Sequence, residues 1–201
     1  MDINKKKDTI LLLIDDDTKL GTVYDHLGTK FSYINASSSI DAFSKMAFNI
    51  PSLIIADIDI DSINILNFLK TIRTGIKTKL IPFLILSSVN NQDNRIKAIE
   101  YGVDSFLQYP INPEELKAVV HSTLNKFKEF YLLTITDELT RLYNRKEFIK
   151  KFNDEISEVT QKIISLAIID IDHFKQVNDI YGHQTGDLVL MKLASVLKSW
   201  T

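Results

Sequence analysis

Residues 54–60 read IIADIDI, and this stretch decides the fold of the first part of the chain. With Leu53 before it, it is an Ile-rich run too short for an ordinary helix. It ends in Asp57 and Asp59, so it reads as a buried strand with acids at its carboxyl end. Four runs of the same kind surround it: Thr9–Ile14, Phe31–Ile34, Ile81–Leu86 and Ser105–Leu107. Helical patterns alternate with them near Leu20–Leu27, Ile40–Asn49, Asn64–Arg73 and Arg95–Tyr101, and from Pro113 onward. Apolar strands separated by helices form a parallel sheet covered on both faces. The expected class is α/β, a doubly wound sheet of five parallel strands.

The last of these helices opens at Asn112-Pro113-Glu114-Glu115. Asn112 suits an N-cap, Pro113 suits the first helical position, and the acidic pair suits the positive end of the helix dipole. Leu116, Val120, Leu124, Phe127 and Tyr131 form one apolar stripe. Beyond Lys126 the stripe is expected to outrun the sheet and to connect to a second region. There it can pair with a copy of itself as a short coiled coil.

Composition narrows the function. No residue is a cysteine, which excludes disulfides, thiolate metal sites and cysteine nucleophiles. The longest apolar runs, Ile10–Ile14 and Ile81–Leu86, fall far short of the roughly 20 residues of a membrane-spanning helix. The first residues do not read as a secretory signal, and the expected location is the cytoplasm. Net charge is −2, and residues 137–201 hold 9 of the 24 basic and 10 of the 26 acidic side chains. Neither part is strongly basic, so no nucleic-acid partner is expected.

In an open parallel sheet, ligands bind beyond the carboxyl ends of the strands. The first strand delivers Asp15, Asp16 and Asp17 there, the third Asp57, Asp59 and Asp61, and the fourth Ser87 and Ser88, while Tyr109-Pro110 follows the fifth. Converging carboxylates repel one another unless a cation lies between them, and oxygen-only ligands suit Mg²⁺. A carboxylate beside Mg²⁺ with a nearby hydroxyl can accept a phosphoryl group.

These pieces resemble the receiver domain of two-component response regulators, a flavodoxin-like fold, over about residues 8–125. The carriers are ILLLIDDDTKL, PSLIIADIDIDSINILNFLKTIR, IPFLILSS and YGVDSFLQYPI, in order and at the family's spacing. The resemblance implies that Asp57 is the phosphoacceptor and that Asp15, Asp16, Asp57 and the Asp59 carbonyl hold Mg²⁺. Ser87 would hydrogen-bond the phosphoryl oxygens, and Phe106 stands at the aromatic switch position. Three positions depart from the family. Its lysine before the proline is Tyr109, and its proline and glycine after the phosphoacceptor are Asp61 and Ile65. A phenol donates one hydrogen bond but brings no charge. The pocket is therefore expected to lack its fixed positive charge.

After Thr136 the texture changes. Residues 145–160 are expected to be helical, Ile163–Ile169 a strand, and Gly186–Trp200 helical. DELTRLYNR at 137–145 and SLAIIDIDHFKQVNDIYGHQTGDLVL at 165–190 resemble the N-terminal half of the GGDEF domain of diguanylate cyclases, with Arg141 where that family commonly has glycine. The resemblance implies joining of two GTP molecules into cyclic dimeric GMP in a dimer. It places metal ligands at Asp170 and the Ile171 carbonyl, phosphates near Lys175, and guanine against Asn178 and Asp187. His173 and His183 read as packing or pocket-lining groups, not as metal ligands. The signature Gly-Gly-Asp/Glu-Glu-Phe loop does not occur before Thr201, so residues 137–201 are expected to be inactive and marginally stable by themselves.

The expected organisation is a receiver at 8–125, a connecting helix at 126–136 and part of a GGDEF domain at 137–201. The expected partners are a sensor histidine kinase or phosphotransfer protein, a second copy of the chain, and GTP in an intact parent, with no nucleic acid and no membrane. The rival reading is a degenerate receiver that binds or dimerises without phosphorylation, favoured by Tyr109, Asp61 and Ile65. The two Asp-Ile-Asp stretches are read as a coincidence of strand chemistry and not as a repeat.

Overall fold

The computed structural model describes residues 7–88, 91–158 and 164–200. They divide into two compact units, residues 2–128 and residues 129–201.

The first unit is built on five parallel strands, β1 (Thr9–Leu13), β2 (Ser32–Asn35), β3 (Leu53–Asp57), β4 (Phe83–Ser87) and β5 (Ser105–Gln108), in the order β2-β1-β3-β4-β5. The quoted stretch is the central strand: Ile54, Ile55 and Ala56 pair with Leu11, Leu12 and Leu13 on one side and with Phe83, Leu84 and Ile85 on the other. Its residues are apolar throughout because both faces are covered. Ile54 and Ala56 face a core shared with α2 (Ser39–Phe48), α3 (Ile65–Thr74) and α4 (Gln92–Glu100), through Met46, Leu69, Ile72 and Ala98. Leu53 and Ile55 face the other core, shared with α1 (Asp17–Leu27) and α5 (Pro113–Ile135), through Val23, Leu27, Leu116, Val120 and Leu124. Each fully buried aliphatic side chain here contributes about 1.5–3 kcal/mol of transfer free energy.

Every strand and helix expected over residues 9–120 is present, with ends shifted by a few residues. The doubly wound sheet is thus the observed architecture. Asn112 caps α5 as its sequence suggests, its Oδ1 accepting from the N–H groups of Glu114 at 2.9 Å and Glu115 at 3.3 Å.

The second unit holds the end of α5, then α6 (Arg145–Glu158), α7 (Phe174–Tyr181) and α8 (His183–Ser199). A turn over 137–143 closes with an antiparallel bridge between Thr136 and Tyr143. In it, Asp137 Oδ1 accepts from the Thr140 N–H at 2.8 Å and hydroxyl at 2.7 Å. The strand expected at Ile163–Ile169 is not formed: Ile163 lies outside the described residues, and Ile164–Ile169 take no regular structure and are all exposed. A strand needs neighbours for its N–H and C=O groups, and none pairs with this stretch among the described residues. The helix expected from Gly186 begins earlier, at His183, and α7 precedes it; Gly182 ends α7 at φ +83°, a conformation that glycine adopts freely.

Candidate functional site

The site lies at the carboxyl ends of β1, β3, β4 and β5. Asp57 closes β3, and its residue is 1% exposed despite its charge. A buried carboxylate is tolerated only when paired, and this one has two partners among the described residues. Its Oδ1 accepts from the Asp59 N–H at 3.1 Å. Its Oδ2 accepts from Lys19 Nζ at 2.6 Å.

Lys19 is the residue that reading along the sequence missed. The pocket does not lack a positive charge, contrary to expectation: the charge comes from the first turn of α1. The local cause is the cap. Asp16 Oδ1 accepts from the N–H groups of Thr18 at 2.8 Å and Lys19 at 3.0 Å and so starts α1 directly after β1. Side chains on a helix lean back toward its N-terminus, so Lys19 points at the sheet end and crosses to β3. The same two N–H groups, that of Lys19 foremost, hold the Asp16 carboxyl below the usual carboxylate range. The signal available in the sequence was a lysine three residues after the capping acid, which places it on the first helical turn.

Asp15 and Asp16 are exposed, whereas Ser87, at the end of β4, is 1% exposed. Asp59 Oδ2 accepts from the Ser88 N–H at 2.7 Å and ties the β3 loop to the β4 loop. Tyr109 follows β5, its N–H donating to the Ser87 carbonyl at 2.8 Å. Lys19 Nζ lies 5.0 Å from the Tyr109 ring centroid. The Tyr109 hydroxyl is buried and has no hydrogen-bond partner among the described residues. Burial first, then the charges of Asp57 and Asp16, push this phenol well above the ordinary tyrosine range. Phe106 on β5 is half-buried with Arg95 over its ring, 5.6 Å to the centroid. Asp61 is exposed, and Ile65 is in the core at 2%.

The donors on hand suit Mg²⁺ in kind, since all are oxygens and a lysine ammonium already stands where a cation is wanted. Among the described residues no three acidic or histidine side chains group tightly enough to bind a metal alone. Mg²⁺ does not require that, because it is commonly held by one or two carboxylates and keeps several waters.

In the second unit Asp170 is exposed, with its Oδ1 accepting from the Ile171 N–H at 3.0 Å, and Ile171 is half-buried. Lys175 and Asn178 lie on α7 and Asp187 on α8. Gly186 brings the two helices close: a Cβ there would collide with Asn178 Oδ1. Asn178 and the residue before Asp187 are therefore neighbours, while Lys175 and Asp187 are exposed. His173 and His183 are exposed too.

The model of the response regulator receiver domain matches residues 11–121. The chain belongs to the response regulator receiver family. Behind the receiver, residues 134–201 match the diguanylate cyclase GGDEF domain. The response regulator PleD of Caulobacter vibrioides is 29% identical over 94% of this chain and 44% of its own length. The diguanylate cyclase DgcZ of Escherichia coli is 37% identical over 59% of this chain and 36% of its own. The chain thus spans less than half the length of these relatives. A response regulator receiver domain protein from Clostridium thermocellum shares the receiver's fold at 23% identity, with a TM-score of 0.54 over 61% of this chain and 98% of that one. No described helix is long and apolar enough to cross a membrane.

Proposed function

We propose that the chain is a phosphorylation-controlled response regulator whose receiver, at residues 8–125, takes a phosphoryl group on Asp57. The segment at 126–136 then connects it to a cyclase region beginning at 137. The observation that carries this reading is a carboxylate 1% exposed at the end of the central strand, paired with a cation and flanked by a buried serine.

An Asp57 oxygen bonds to phosphorus, the bond from phosphorus to the donor's leaving atom breaks, and that atom leaves with the electron pair. Asp15, Asp16, Asp57 and the Asp59 carbonyl would hold Mg²⁺, which neutralises phosphate charge when bound. The Ser87 hydroxyl, on the adjacent strand, is suited to a phosphoryl oxygen, and the Tyr109 phenol stays protonated there. The donor is a sensor histidine kinase or phosphotransfer protein. Phosphorylation favours a homodimer in the cytoplasm that brings two GTP-binding regions together to make cyclic dimeric GMP. There Asp170 and the Ile171 carbonyl would serve a metal, Lys175 the phosphates, and Asn178 and Asp187 the guanine. Residues 137–201 by themselves are inactive in this reading, because the Gly-Gly-Asp/Glu-Glu-Phe loop does not occur among them.

The test is incubation of the chain with acetyl phosphate and Mg²⁺. Mass spectrometry is expected to show one added phosphoryl group, absent in Asp57→Ala. An unmodified wild-type chain would leave the phosphorylation-independent module as the surviving reading.

A further inference from the structure

The family's lysine at the end of β5 is Tyr109 here, yet the carboxylate that lysine serves is not without a cation. Lys19 Nζ sits 2.6 Å from Asp57 Oδ2, with the lysine side chain 20% exposed and that of Asp57 1% exposed. The same ammonium lies over the face of Tyr109, 5.0 Å from the ring centroid. An aromatic ring so placed attracts an ammonium. The residue that removed one cation thus forms a wall for another.

We infer that Lys19 supplies from α1 the positive charge that stabilises the phosphoryl group on Asp57, held in place by the Tyr109 ring. This inference rests on the phosphoryl transfer proposed above. In the reaction with acetyl phosphate, Asp57 oxygen bonds to phosphorus and acetate leaves with the electron pair of the broken phosphorus–oxygen bond. Lys19 forms and breaks no covalent bond in this step. An ammonium has three donors on a flexible stem, so Lys19 reaches a phosphoryl oxygen without leaving the pocket. The buried Tyr109 hydroxyl has no hydrogen-bond partner among the described residues and gains one when a phosphoryl oxygen arrives.

The inference has a signature that a merely structural lysine lacks. In the resting site Lys19 and Mg²⁺ compete for Asp57, whereas in the phosphorylated site both neutralise the phosphoryl charge. Removing the ammonium therefore strengthens metal binding and weakens phosphorylation. The experiment compares the full chain with Lys19→Met, Lys19→Arg and the double variant Lys19→Met/Tyr109→Lys. Far-UV circular dichroism and urea midpoints check the fold. Mg²⁺ affinity is read by calorimetry without phosphodonor. The rate of adduct formation is read with acetyl phosphate at saturating Mg²⁺.

Lys19→Met is expected to form the adduct about tenfold more slowly or worse, the scale of a lost charge-assisted hydrogen bond, and to bind Mg²⁺ more tightly. Lys19→Arg is expected to keep most of the rate, and the double variant to recover it. A wild-type rate in Lys19→Met overturns the inference and leaves Asp57 phosphorylation standing. A parallel loss of rate and Mg²⁺ affinity also overturns it, because it marks a structural role. No adduct on the unmutated chain overturns the phosphotransfer reading first, and this inference with it.

Discussion

Asp57 and Asp170 each head an Asp-Ile-Asp triplet after an Ile-rich run, yet one is 1% exposed and the other is open to solvent. The difference lies in their neighbours. The run before Asp57 is hydrogen-bonded on both edges, to β1 and β4, and covered on both faces by helices. The run before Asp170 leaves Ile168 92% and Ile169 60% exposed. An apolar run becomes a buried strand only when other strands satisfy its backbone. Burial in turn makes a carboxylate demand a partner, and so Asp57 has Lys19. Among the described residues, Asp170 accepts only from its own neighbour's N–H.

The strongest attempt to break this contrast truncates both runs. Ile55→Ala, at a fully buried position, is expected to cost about 2–5 kcal/mol in urea unfolding of the receiver. Ile168→Ala is expected to change stability by less than about 0.5 kcal/mol. Comparable losses would show that the second run is packed after all.

A smaller effect tests the second unit from the backbone. Arg141 sits at φ +56°, a left-handed conformation that strains a side-chain-bearing residue. Arg141→Gly is expected to stabilise this unit by about 1 kcal/mol, read as protection of its amides in hydrogen exchange. No gain would mean that this turn does not set the unit's stability.

The smallest effect belongs to the receiver alone and appears in alkali. The pKa of the Tyr109 phenol is raised above the ordinary tyrosine range, by burial first and then by the charges of Asp57 and Asp16. A group raised on folding stabilises fully below its unfolded value and loses that contribution as pH rises through the folded one. Receiver stability is therefore expected to fall above about pH 10, and less steeply in Tyr109→Phe. Equal slopes in the two proteins would place the phenol in solvent.

The receiver's strands were legible in the sequence because each is a local pattern bounded by helices, whereas their order β2-β1-β3-β4-β5 came from the tertiary structure. Asp57, Ser87 and Tyr109 were legible as candidates for the same reason: strand ends in a parallel sheet point to one crevice. The GGDEF pattern was equally plain, but its strand was misread, since Ile-rich composition states a preference and not a pairing. The expected empty charge at Tyr109 was misread too, because the compensating lysine is 38 residues from Asp57 in the chain.

The sequence by itself determined which residues are apolar, where helices start and which acids follow which strands, because these depend on neighbours a few positions away. Only the tertiary structure decided that Lys19 meets Asp57, that the Tyr109 hydroxyl is enclosed without a partner among the described residues, and that Arg141 turns left-handed. Those outcomes depend on how α1 packs beside β3 and how the 137–143 turn closes, and no local pattern carries that geometry.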